Sequence, residues 1–296
     1  MLDALTWVSP DGSTIEFADL SDGIGVEPGL EGRFAPPPHI VADVLAGSDG
    51  SRVRNVRYGV REIAIPLSIE ADSPDDLHTS LRDLVSRLDP KRGVGKLRAT
   101  GAGGTTREIA CRYGGGLEIV EDIATSVTGW ARASIVLVAH DPLWQDMSPT
   151  VETVGVEATA FLSPDASTAW FPWSLVESDA VGGFTVNNDG DDDAWPQWTI
   201  QGPGAGLLKL SNLATGETIE IANVSMVSGE KITIDTRPGY KTVTGPSGEN
   251  LWPDLSDGSD LWPLERGTQT VTVTLAGAVA GESNVRLEWR RKWLTV

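Results

Sequence analysis

The sequence predicts a mainly β protein of two domains: an N-terminal β domain with one α-helix, and a C-terminal β-sandwich or jelly roll. Three observations predict it. Gly and Pro are plentiful, at 33 and 18 of 296 residues, which suits many short strands joined by turns. After residue 150, alternating apolar and polar runs recur about every ten residues with turn signals between them, the spacing of a sandwich. Only one stretch of the chain has convincing helical spacing. The length, 296 residues, is ordinary for two domains.

In chain order, Leu5–Val8 and Thr14–Phe17 flank the turn Ser9-Pro10-Asp11-Gly12 and read as a hairpin. Residues 21–60 are dense in Gly and Pro and include Pro36-Pro37-Pro38. They read as an extended arm or a long surface loop, and such segments are often functional. Ile63–Ile69 alternates with period two and is a strand. Pro66 lacks an N–H, so this strand is expected at an edge or with a bulge. Ser73-Pro74-Asp75-Asp76 starts the helix: a cap, a proline at the first turn and two acids at the positive end. Leu77, Leu81, Leu84, Val85 and Leu88 then share one face, and Asp89-Pro90 stops it. Strands follow at 95–100, 106–114, 116–123 and 131–139. The break at Asp141-Pro142 and Ser148-Pro149 divides domains 1–147 and 148–296. The second domain is expected to hold strands at 151–156, 158–162, 183–187, 196–201, 206–212, 217–221, 231–235, 240–244, 267–275 and 285–294. The last strand is expected to close the sandwich.

Net charge is −19, and both halves are acidic. Neither has the basic footprint that neutralises phosphates, so direct nucleic-acid binding is not expected. Anionic membrane surfaces are disfavoured for the same reason, and no apolar run approaches the ~20 residues of a membrane helix. The charge favours solubility and cationic partner surfaces. The single cysteine, Cys111, permits no internal disulfide. The N-terminus has no basic and apolar leader pattern, so synthesis and folding in a cytoplasm are expected.

Catalytic chemistry is mostly not found. No pair among His39, His78 and His140 has a metal-ligand spacing, and there is no nucleophile elbow, phosphate loop or dinucleotide loop. The glycine-rich stretches at 101–104 and 114–116 lie between strands and read as turns. No catalytic residue and no cofactor is expected. Asp189, Asp191 and Asp193 place carboxylates close together, as Ca²⁺ requires, but without the spacing of an EF-hand. A solvated turn is the favoured reading, and no metal site is expected. Eight of the 11 tryptophans fall after residue 146. Trp170, Trp173, Trp195, Trp198, Trp252 and Trp262 are candidates for stacking on sugars or anchoring an interface; filling the core is the other reading. Arg52, Arg54, Arg57 and Arg61 form a local basic cluster in an acidic chain, a candidate surface for an acidic partner.

Several stretches together resemble the phage tail component family of distal tail (Dit-type) proteins. They are Val186-Asn187-Asn188-Asp189-Gly190, Trp195–Gly202, Leu208–Asn212, Thr215-Gly216-Glu217, Gly229–Thr236 and Leu261–Val271. Arg266 and Gln269 stand where the family often has Pro and Asn. The order of elements in the first half is similar to the family's ring-forming domain. The resemblance implies a structural, non-enzymatic virion protein at the distal end of a long non-contractile tail. It implies a homohexameric ring joining the tail tube protein to a tail-tip hub or receptor-binding protein, with a galectin-like second domain outside. Carbohydrate binding by that second domain, for host-surface attachment, is the alternative. A free-standing enzyme is not expected.

Overall fold

A computed structural model describes residues 2–17, 23–44, 46–47, 49–101, 103–119, 129–155 and 180–296. The expected strand at 158–162 and the second half of that at 116–123 lie outside the described residues. The chain divides into two compact units, residues 1–147 with 293–296, and residues 148–292.

The first unit contains β1 (Leu2–Val8), β2 (Thr14–Glu16), β3 (Ile24–Val26), β4 (Pro38–Val44), β5 (Ser51–Tyr58), β6 (Arg61–Glu70), α1 (Pro74–Leu88), β7 (Gly95–Gly101), β8 (Thr106–Gly116), β9 (Trp130–Ala139) and β10 (Trp144–Asp146). Its main sheet runs β2-β1-β7-β8-β9-β6-β3, with β10 also paired to β8. Strand β8 is bent: its first half pairs with β7 and its second half with β9, with a register shift between Tyr113 and Gly115. Gly116 lies at φ +90, and a Cβ there would sit 2.1 Å from the Ser134 carbonyl oxygen, so the bend requires glycine.

The alternation of β6 is complete. Ile63, Ile65, Leu67 and Ile69 are fully buried, whereas Glu62 and Glu70 are exposed. The strand is not at an edge. It pairs with β9 on one side and β3 on the other. The carbonyl of Pro66 accepts from Glu27 N–H at 2.9 Å, so the ring nitrogen that cannot donate also faces β3. Pairing resumes only where Glu31 N–H reaches the Ala64 carbonyl at 3.0 Å, and residues 28–30 leave the ladder between them. The proline thus acts as a bulge former on the β3 side.

Helix α1 begins as expected. The Ser73 hydroxyl accepts from Asp76 N–H at 3.2 Å. Leu77, Leu84 and Leu88 are buried against the sheet, but Val85 is exposed: the helix buries a narrower stripe than its apolar pattern suggested. Trp7 fixes the other end by donating its indole N–H to the Arg87 carbonyl at 3.0 Å, satisfying one of the helix's terminal acceptors.

The second unit contains β11 (Thr150–Gly155), β12 (Ala180–Asn188), β13 (Gln197–Gln201), β14 (Gly204–Asn212), β15 (Thr218–Met226), β16 (Lys231–Asp235), β17 (Thr242–Thr244), β18 (Gly267–Leu275) and β19 (Asn284–Trp289). They form two antiparallel sheets, β11-β19-β13-β16-β17 and β12-β18-β14-β15. One apolar core draws on both, including Trp198, Ile200, Ile234 and Leu287 from the first and Val186, Leu210, Val271 and Val273 from the second. The last long strand, β19, lies inside its sheet between β11 and β13 rather than at the rim.

Candidate assembly surface

Residues 38–58 differ from the rest of the first unit. Strands β4 and β5 pair only with each other, as a two-stranded ribbon. Their described residues are all exposed, except Asp43, which is half-buried. The ribbon is nevertheless rich in aliphatic residues. Ile40 lies opposite Val56, Ala42 opposite Val53 and Pro38 opposite Tyr58. Val44 is 84% exposed, and Ile40, Val53 and Val56 each more than half. An isolated two-stranded hairpin is marginal in water, and clustered apolar exposure marks a contact surface.

The earlier part of the predicted arm is not free. Val26, Glu27 and Glu31 bond along the sheet, and Ile24 and Arg33 are buried. The arm expected over 21–60 therefore reduces to the ribbon and its base. That base is closed by Gly59 N–H bonding the Pro37 carbonyl at 2.8 Å.

The four arginines divide. Arg52, Arg54 and Arg57 stand on β5 and are exposed, and Arg54 pairs with Asp43 across the ribbon. Arg61 is different: it is fully buried. Its guanidinium donates to the carbonyls of Arg33 at 3.1 Å and Leu294 at 2.9 Å. Burial pushes its pKa down to about 10, which leaves it charged at neutral pH. Held internally by two carbonyls, it is a brace inside the unit and not part of the exposed basic surface.

The tryptophans also divide. Trp170 and Trp173 lie outside the described residues. Trp198 and Trp262 are buried and meet edge to face at 5.5 Å between ring centres. Neither presents a face to solvent, so neither stacks on a sugar or a partner. Trp195 is half-buried, with the Lys241 ammonium 5.7 Å from its ring centre. Trp252 is 43% exposed.

The acidic loop shows no converging carboxylates. Asp189 bonds Arg291 at 3.2 Å. Burial, then the nearby Asp192 and Glu265, raise the pKa of Asp193. No group of three or more metal-ligating side chains forms among the described residues. No described helix is long and apolar enough to cross a membrane.

The stretches that carried the family resemblance prove to be fastenings. Asn188 is buried, and its amide donates to the carbonyls of Asp192 at 3.0 Å and Leu264 at 2.9 Å, joining the 186–202 segment to the 261–271 segment. Asn212 donates to Gln269 at 2.9 Å, and Gln269 to the Glu265 carbonyl at 2.8 Å. The Thr236 hydroxyl bonds the Pro196 carbonyl at 2.7 Å. These side chains satisfy buried polar groups and perform no chemistry there. The candidate surface residues that sequence reading missed are the aliphatic side chains of the ribbon. Their signal was present: Ile40, Val41, Val44, Val53 and Val56 recur in a segment with no room for a core of its own.

The comparisons with known proteins agree with this geometry. Residues 189–293 match the family model described as "Siphovirus-type tail component, C-terminal domain". No curated protein matches the chain in sequence. Among solved structures, the SPP1 Dit (gp 19.1) protein, described as a paradigm of the hub adsorption apparatus in phages infecting Gram-positive bacteria, superposes with a TM-score of 0.69 at 14% identity, covering 98% of this chain and 99% of that one. A chain of the phage P2 baseplate in its activated conformation with Ca gives 0.54 at 12% identity over the full length of both. The same baseplate with Sr gives 0.51 at 13%, covering 99% of each chain. Residues 189–293 are thus similar to the siphovirus-type tail component C-terminal domain, and the chain as a whole shares the fold of the SPP1 Dit protein.

Proposed function

We propose that this chain is a structural, non-enzymatic virion component at the distal end of a long non-contractile phage tail. Six copies form a ring through their first units, connecting the tail tube protein to the hub and receptor-binding apparatus. The carrying observation is the ribbon β4–β5: two strands that pair only with each other and expose aliphatic and arginine side chains together. Fully burying a Val or Ile side chain stabilises by about 1.5–3 kcal/mol, so a few such residues on a neighbour offset much of the cost of association. Exposed Arg52 and Arg57 suit an acidic neighbour, and another copy of this chain, at net charge −19, is one.

The test is the mass distribution and negative-stain appearance of the purified chain, beside an Ile40→Asp, Val56→Asp variant. Rings in the wild type and monomers with an unchanged melting temperature in the variant are expected. Rings of equal stability in both would contradict the role given to the ribbon.

A second reading, sugar binding by the second unit, rests on the exposed indole of Trp252. Titration of its fluorescence with host cell-wall polysaccharide tests it; no change on Trp252→Ala would remove it.

A further inference from the structure

The irregular segment after β3 forms an open cleft of about 380 Å³, lined by Val26, Glu27, Leu30, Arg33 and Phe34. It lies where residues 28–30 leave the ladder beside Pro66, between the bonds of Glu27 N–H to the Pro66 carbonyl and Glu31 N–H to the Ala64 carbonyl. Gly32 then lies against the strand at φ +77, where a Cβ would be 1.9 Å from the Glu62 carbonyl oxygen. The Arg33 backbone is held firmly: its carbonyl accepts from both Arg61 and the buried Trp144 indole, each at 3.1 Å. Its side chain is not. Arg33 is only 7% exposed, and its Nε is buried with no hydrogen-bond partner. Its guanidinium lies 4.9 Å from the centre of the Phe34 ring. Glu27, the acid in the same cleft, is bonded to Arg132 at 2.6 Å. The described residues give this guanidinium no carboxylate partner, and its fork is shaped for a carboxylate that brings two oxygens.

We infer that the Arg33–Phe34 cleft is a carboxylate-binding site, filled on assembly by an Asp or Glu side chain from a second copy of this chain. The source follows from continuity and charge. Phe34, 66% exposed, leads through Ala35-Pro36-Pro37 directly into β4, so a copy seated on the ribbon's base covers the cleft. That copy carries 42 acidic residues. This step rests on the ring reading above.

The test compares the full-length wild type with Arg33→Met and Arg33→Lys, and uses sodium glutarate as a free carboxylate probe. Three results are expected. Free Arg33→Met melts no lower than wild type, because it loses an unpaired charge and no hydrogen bond; a structural guanidinium would make it melt lower. Glutarate raises the melting temperature of the dilute wild type saturably, and not that of Arg33→Met. Self-association, followed by mass photometry on dilution, weakens at least tenfold in Arg33→Met and less in Arg33→Lys. Equal assembly by wild type and Arg33→Met, with no Arg33-dependent glutarate effect, would overturn the inference. An Arg33-dependent glutarate effect in a chain that never self-associates would overturn the second-copy source together with the ring reading, while leaving a carboxylate site of other origin.

Discussion

The ribbon of the first unit and the sandwich of the second are both antiparallel β, and they solve opposite problems. In the sandwich, strand alternation feeds one dry core: Trp198 and Ile200 on β13 point inward, and buried Asn188 and Asn212 find partners. In the ribbon, aliphatic side chains of equal quality stay half or more exposed at Ile40, Val44, Val53 and Val56, and β4 and β5 pair with no other strand. The difference teaches that apolar content does not separate a core strand from an assembly strand. What separates them is whether a second layer of the same chain lies over it. On the role proposed for the ribbon, substitutions in the sandwich core should change stability and those in the ribbon should change association.

The largest effect is expected from Trp198→Ala. Removing a fully buried indole between Phe184 and Trp262 costs about 3–5 kcal/mol, read as a fall in the second unit's denaturation midpoint. An equivalent truncation in the ribbon, Val56→Ala, should leave the free chain's midpoint within about 0.5 kcal/mol of wild type. A similar loss at both sites would erase the contrast.

Asp235 sharpens it next. Burial alone would raise its pKa, but the hydrogen bonds from the Arg237 side chain and backbone, and from Gln197, outweigh this and hold it below the ordinary carboxylate value. A depressed folded-state pKa stabilises above the unfolded value and is lost as pH falls through the folded one. Asp235→Asn should therefore destabilise the chain at pH 7, by about 1–3 kcal/mol for bonds to a mostly buried charge. That difference should shrink as the pH drops below about 4.

Asp193 provides the smallest effect and the opposite sign. Its raised pKa means that the folded state prefers the protonated acid, so ionisation weakens the fold above the unfolded pKa and not below it. Asp193→Asn should raise the melting temperature slightly at pH 7 and leave it unchanged near pH 3. A lowered melting temperature at pH 7 would show that the ionised carboxylate holds something in place.

Much of the fold was legible in the sequence because strand and helix periods are local. The Ser73 cap, the alternation of β6 and the apolar runs of the sandwich follow from a few adjacent residues. Arg61 was legible too, had parity been applied: it shares its face with Ile63, Ile65 and Leu67, all buried, and not with the exposed arginines of β5. Trp198 and Trp262 were ambiguous because a tryptophan fills a core or an interface by the same physics. Arg33 left no trace. It is buried by an irregular loop shaped by Pro66, more than thirty positions away in sequence and adjacent only in space, and no periodic pattern reports such a contact.

The central claim is that β4–β5 is an assembly element whose burial comes from neighbours. Amide hydrogen exchange over residues 38–58, measured in the dilute chain and in the assembled particle, tests it most directly. The account predicts exchange within seconds to minutes in the dilute chain, while β6, β9 and β13 remain protected, and strong protection of the ribbon after assembly. Ribbon amides already as slow as those of β6 in the dilute chain, or equally fast in both states, would contradict it.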